Sequence, residues 1–141
     1  IRESIFEEVG RFSSEYFMYG EDMDLCYRVQ KVGWKNYYVG QAKVIHHGGQ
    51  STASRSEKHF SSVVMRESLL RFMRSHHGRL YARLFQSVTA IAALFRLSVL
   101  AVAMVLPGTS SKRHSLLLAI SKWFRVLRWA IGLETLSKPT M

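Results

Sequence analysis

With 141 residues and 16.2 kDa the chain has room for one ordinary domain and little more. A hydrophobic content of 48% against 21% charged excludes a disordered tail, and the single cysteine, Cys26, excludes a disulfide framework or a cysteine-rich zinc site. The formal net charge of +10 lies wholly in the second part: residues 1–60 hold eight acids and eight bases, whereas residues 61–141 hold twelve bases and two acids, Glu67 and Glu134.

Such an asymmetry points to a segment that meets phosphates, on nucleic acid or on a membrane surface, or else to a solvated basic face. Ile1 rather than Met opens the chain and no charged-then-apolar leader follows, so an interior start within a longer protein is expected.

From Ile1 to Val9 the apolar residues Ile1, Ile5, Phe6 and Val9 keep a helical spacing that stops at Gly10. Phe12, Phe17, Met18 and Tyr19 form an aromatic loop running up to Gly20. Between Glu21 and Val32 the residues Leu25, Cys26, Val29 and Val32 predict a helix with one buried stripe. Gly33 suits the residue just past its end, and Trp34 beyond it suits the apolar contact that closes such a cap. Tyr37–Val39 and Ala42–Ile45, separated by Gly40, read as two short strands, so an α/β layer is expected for residues 1–60.

The rest reads as helical. Residues 61–83 form a basic connecting helix, and residues 84–106 offer 18 apolar positions out of 23 before Pro107-Gly108, which makes them a transmembrane candidate. Arg96 interrupts that run near its middle, at a cost of about 2.5–3.5 kcal/mol for insertion. Over residues 116–133, Lys122, Arg125 and Arg128 fan along one side. Leu116, Ala119, Ile120, Trp123, Phe124, Leu127, Ala130 and Ile131 cover the other. That pattern suits either a helix lying in a membrane interface or one packed on its own domain.

Candidate chemistry gathers in residues 20–51. Glu21, Asp22 and Asp24 open a helix, where acids complement the dipole. A carboxylate at the mouth of the Phe17-Met18-Tyr19-Gly20 loop is also placed to take a proton from a bound hydroxyl. His46-His47 leaves an apolar segment into Gly48-Gly49-Gln50-Ser51. Imidazole with upstream carboxylates suits an oxygen-preferring metal, and the two glycines let backbone N–H groups approach a phosphate.

Taken in order and spacing, these words resemble a family. They are Phe6-Glu7-Glu8-Val9-Gly10, Phe17-Met18-Tyr19-Gly20-Glu21-Asp22-Met23-Asp24-Leu25-Cys26-Tyr27-Arg28, Gly33-Trp34, Ala42-Lys43-Val44-Ile45-His46-His47 and Gly49-Gln50-Ser51. The set is similar to the C-terminal half of the catalytic domain of inverting family 2 glycosyltransferases, in particular the rhamnosyltransferase-like members that build bacterial cell-surface polysaccharides. The tight likeness covers about a third of the chain. It implies a partial GT-A fold, a Rossmann-like α/β half, followed by a helical membrane-associating tail over residues 84–141.

The resemblance further implies transfer, with inversion, from a nucleotide-diphosphate sugar to a saccharide or lipid-linked acceptor. Arg125 stands in place of the Gln of the Gln-x-x-Arg-Trp word of processive synthases, ahead of Arg128-Trp129, which points to a non-processive mode. Asp22 would be the base, with Glu21 beside it, and Phe17, Tyr19, Gly20, Asp24 and Trp34 would line the acceptor. Gly48, Gly49, Gln50 and Ser51 would form a diphosphate loop. His46, or His47 by adjacency, would hold a divalent Mg²⁺ or Mn²⁺. The place implied is the cytoplasmic face of the bacterial inner membrane, against anionic lipid, with no nucleic acid as partner.

The chain departs from the family's pattern at Arg11-Phe12-Ser13-Ser14, where relatives carry a second Gly and an acidic pair, and it shows no Asp-x-Asp ahead of residue 20. A truncated enzyme without its nucleotide-binding half is therefore expected, inactive by itself. Rival readings are an inactive membrane-anchoring fragment, a basic nucleic-acid module using Arg66, Arg71, Arg74, Arg79 and Arg83, and a histidine metal protein in which His76-His77-Gly78 echoes His46-His47-Gly48.

Overall fold

The computed structural model describes residues 1–45, 60–107 and 109–134. The chain divides into two compact units, Ile1–Lys58 and His59–Met141, so residues 61–83 and 84–141, expected as separate pieces, belong to one helical unit.

In the first unit α1 (Glu3–Glu8) and α2 (Glu21–Lys31) pack through Ile5, Leu25 and Val29, flanked by Phe6 and Val9. Both helices end alike. After α2 the Gly33 N–H bonds the Gln30 carbonyl at 3.1 Å and the Trp34 N–H bonds the Val29 carbonyl at 3.1 Å, with Gly33 at φ 93°. This is the double-bonded Schellman stop expected from Gly33-Trp34. After α1 the same pair of bonds runs from Gly10 to Glu7 and from Arg11 to Phe6.

The stripe on α2 is narrower than its periodicity implies. Leu25 and Val29 are buried, but Cys26 and Val32, expected in the core, are exposed. A six-residue α1 is about 9 Å long, too short to cover the whole face of an eleven-residue partner.

Tyr37–Val39 and Ala42–Ile45, expected as strands, form no ladder among the described residues. One turn bond, from the Ala42 N–H to the Val39 carbonyl at 3.1 Å, joins them, and Tyr38 and Ile45 are exposed. A strand needs a neighbour about 4.8 Å away to take up its N–H and C=O groups, and alternation within one segment does not supply that neighbour.

The second unit holds α3 (Phe60–His77), α4 (Arg79–Val105) and α5 (Ser110–Ala130). The expected helix over 61–83 breaks at Gly78, whose φ 90° and ψ 175° are open to glycine alone, and α4 begins at the next residue. α4 stops at Val105, just ahead of Pro107. α5 starts six residues before the expected 116, because the Thr109 hydroxyl caps it by accepting the Lys112 N–H at 3.4 Å.

α4 packs against both α3 and α5, and their shared core is Val63, Leu70, Ala82, Trp129 and Ala130, backed by Met73, Phe85 and Ala90. The Trp129 indole N–H donates to Glu67 Oε2 at 2.6 Å, which ties α5 to α3. His76 and His77 lie in an aromatic row, with ring centroids 4.7 and 5.8 Å from Phe72 and His77 5.6 Å from Tyr81.

The apolar and basic faces of α5 are also not as expected. Phe124 and Ile131 are exposed, Val126 and Trp129 are buried, and Arg125 turns to a part-buried pair with Glu134. Packing on two helices, rather than on one flat surface, selects which residues are covered.

Candidate active site at the start of α2

The chain reaches α2 through two successive left-handed residues, Tyr19 at φ 66° and Gly20 at φ 88°. Tyr19 is not a glycine, so holding it there costs on the order of 1–2 kcal/mol. Gly20 is the N-cap and brings no side chain to the first turn, so that turn's acids stand where a capping hydroxyl would otherwise be.

Three carboxylates open α2, and their surroundings set them apart. Asp22 is exposed, and its Oδ1 accepts the N–H of Met23 at 2.8 Å. Glu21 is partly buried, and its Oε2 is shut from solvent with no hydrogen-bond partner among the described residues. A dry carboxylate oxygen without a donor is costly and rare in native proteins.

Asp24 is only 4% exposed. Its Oδ2 receives Arg28 Nε at 2.8 Å and its Oδ1 receives the Tyr16 hydroxyl at 3.4 Å. Arg28 in turn donates from Nη1 to the Val9 carbonyl and from Nη2 to the Arg11 carbonyl at 2.6 Å. Asp24, expected at an acceptor, anchors the arginine that clasps the end of α1. The spacing of Asp24 and Arg28 at i and i+4 was a legible signal for this pair. The part of Tyr16 was not, because it depends on how the loop folds back.

Of the other expected acceptor residues, Phe17 is exposed, Tyr19 and Gly20 are partly buried beside Glu21, and Trp34 donates its indole N–H to Glu8 Oε2 at 3.2 Å, closing α2 against α1. His46, His47, Gly48, Gly49, Gln50 and Ser51 lie outside the described residues. Among the described residues no three His, Cys, Asp or Glu side chains converge as a metal site, so Glu21 and Asp22 do not by themselves make one.

Three relatives share a segment with this chain. An N-acetylglucosaminyl-diphospho-decaprenol L-rhamnosyltransferase of Mycobacterium tuberculosis is 44% identical over 62 residues, 44% of this chain and 20% of that protein. Rhamnosyltransferase WbbL of Escherichia coli is 38% identical over 60 residues, 43% of this chain and 23% of its own. The low-salt glycan biosynthesis hexosyltransferase Agl10 of Haloferax volcanii is 38% identical over 45 residues, 32% of this chain and 14% of its own.

The match thus spans about a fifth of the length of the rhamnosyltransferases. No family model matches the chain, and no solved structure matches it. The shared segment is one of glycosyltransferases, which agrees at that level with the resemblance in the sequence.

Proposed function

We propose that this chain carries the acceptor-activating part of an inverting, non-processive sugar transferase of glycan synthesis, of GT-A type. Its donor is a nucleotide-diphosphate sugar and its acceptor a saccharide or a lipid-linked saccharide. The observation that carries this reading is the contrast within one helical turn: Asp24 is locked into the fold, while Asp22 stands exposed behind a strained aromatic-glycine loop.

In this reading the acceptor hydroxyl gives its proton to a carboxylate oxygen of Asp22 as its oxygen bonds to the anomeric carbon. The bond from that carbon to the nucleotide diphosphate breaks on the opposite face, and the centre inverts. The unpartnered Oε2 of Glu21 is an acceptor for a second sugar hydroxyl. A divalent Mg²⁺ or Mn²⁺, when bound, would supply charge neutralisation on the departing diphosphate, and in this reading His46 would hold it, with His47 the alternative.

The membrane reading rests on α4. Of its most apolar 18-residue window only 6% is buried, and it is the one helix among the described residues long and apolar enough to cross a bilayer. α5 packs along it, however, and carries Lys112, Arg113, Lys122, Arg125 and Arg128. Driving α4 through the hydrocarbon would draw those bases in with it. The second unit therefore docks in the plane of the cytoplasmic leaflet, with Leu84, Val88, Ile91, Phe95 and Val102 of α4 on the lipid side.

Transfer of radiolabelled rhamnose from its nucleotide diphosphate, measured in membranes containing the complete enzyme with its nucleotide-binding half, tests the chemistry. Asp22→Asn should lower kcat by roughly 10²–10⁴-fold, the worth of a positioned base, with the donor KM little changed. Near-normal turnover would remove Asp22 from the role.

A further inference from the structure

Arg96 is the residue that made the apolar run impure, and its surroundings are unusual. Its guanidinium carbon lies 4.6 Å from the centroid of the Trp123 ring. That of Arg66, from α3, lies 5.4 Å from the same centroid, and Lys122 Nζ lies 6.0 Å from it. Three helices thus bring three cations to one indole.

Stacking on the ring returns part of the cost of each cation. It leaves the mutual repulsion in place. Burial, and next the charge of Arg96, hold the Arg66 guanidinium below the ordinary arginine range. Among the described residues no carboxylate answers them: Glu67 accepts from Trp129 and Glu134 pairs with Arg125. Among the described residues Arg66 makes one polar bond, from Nη1 to the Ser62 carbonyl at 2.7 Å, within its own helix.

Like charges gathered at one point, with no acid of the described residues spent on them, are suited to be neutralised from outside. We propose that Arg66, Arg96 and Lys122, stacked about Trp123, form a binding site for a phosphate group carried by a lipid. The planar forks of two arginines match phosphate oxygens in pairs, as a single ammonium does not. The lipid source is favoured by position, since Phe95, next to Arg96, is 69% exposed on the apolar stripe of α4. The proposal rests on the membrane reading above and adds a defined headgroup site to it.

The test is co-sedimentation of the full chain with phosphatidylcholine vesicles, with and without phosphatidylglycerol. The wild type should bind only when phosphatidylglycerol is present. Arg66→Lys with Arg96→Lys keeps every charge but loses the forks, and should weaken binding at least tenfold. The same exchange at Arg74 and Arg79 should change it less than twofold, with circular dichroism checking that both pairs remain helical.

If the two lysine pairs bind alike, attraction is diffuse and the site is overturned. Inorganic phosphate should compete no better than sodium chloride of equal ionic strength; specific competition would assign the site to a free anion and overturn the lipid source. Failure of the wild type to bind either vesicle would instead overturn the membrane reading, and with it the headgroup site.

Discussion

At the scale of single residues, Asp22 and Asp24 show how little spacing alone decides. They are two positions apart, so about 200° separates them around the helix, and one faces solvent while the other is buried against Tyr16 and Arg28. Asp24→Asn should destabilise the first unit by about 1–3 kcal/mol, because Arg28 and Tyr16 lose a charged acceptor in a closed space. Asp22→Asn should stay within about 0.5 kcal/mol of the wild type, as exposed substitutions do.

Urea unfolding of both variants separates the roles; equal losses would mean that Asp22 also holds the fold. Cys26, exposed on α2, should react with a thiol reagent in the folded chain, and Cys26→Ser should cost less than about 0.5 kcal/mol. A thiol that reacts only on unfolding would restore it to the core.

Elements in this protein are defined chiefly by how they stop. α1, α2 and α5 end with a left-handed glycine and the same two backbone bonds, at Gly10, Gly33 and Gly132. At Gly33 a Cβ would meet nothing within 4 Å, so the cost of Gly33→Ala is conformational alone. It should be about 1 kcal/mol, seen as a lower midpoint in thermal unfolding with the helix content of the folded chain unchanged. A neutral result would show that the chain relaxes at this cap.

Gly78 does something different: its φ and ψ turn the chain sharply between two helices with no intervening loop. α4 could not otherwise pack back on α3 with a single residue between them.

For the whole molecule, the decisive feature is an apolar helix packed on one side and bare on the other. Arg96 is exposed but lies over Trp123 of α5, off the stripe of Leu84, Val88, Ile91, Phe95 and Val102, which carries no charge. Burying one such side chain is worth about 1.5–3 kcal/mol, so Phe95→Ser should reduce partition onto anionic vesicles by roughly 10-fold or more while leaving helix content intact. Loss of helix instead would show that Phe95 packs within the protein.

In-plane docking also makes a topological demand. A cysteine placed at Thr109, between α4 and α5, should resist a membrane-impermeant reagent applied outside intact cells. Labelling there would mean that α4 crosses, and the docked arrangement would fall.

Local chemistry made much of this legible before any coordinates. The helix stop at Gly33-Trp34, the break before Pro107 and the acids opening α2 each follow from groups within a few residues of one another, because backbone bonding and φ restrictions act over one turn. The split in roles between Asp22 and Asp24, the exposure of Cys26 and Val32, and the meeting of Arg66, Arg96 and Lys122 at Trp123 were decided only in three dimensions. Burial and charge pairing depend on which surface arrives to cover a face, and that surface comes from residues up to 62 positions away, as between Trp129 and Glu67. No period within one helix contains that information.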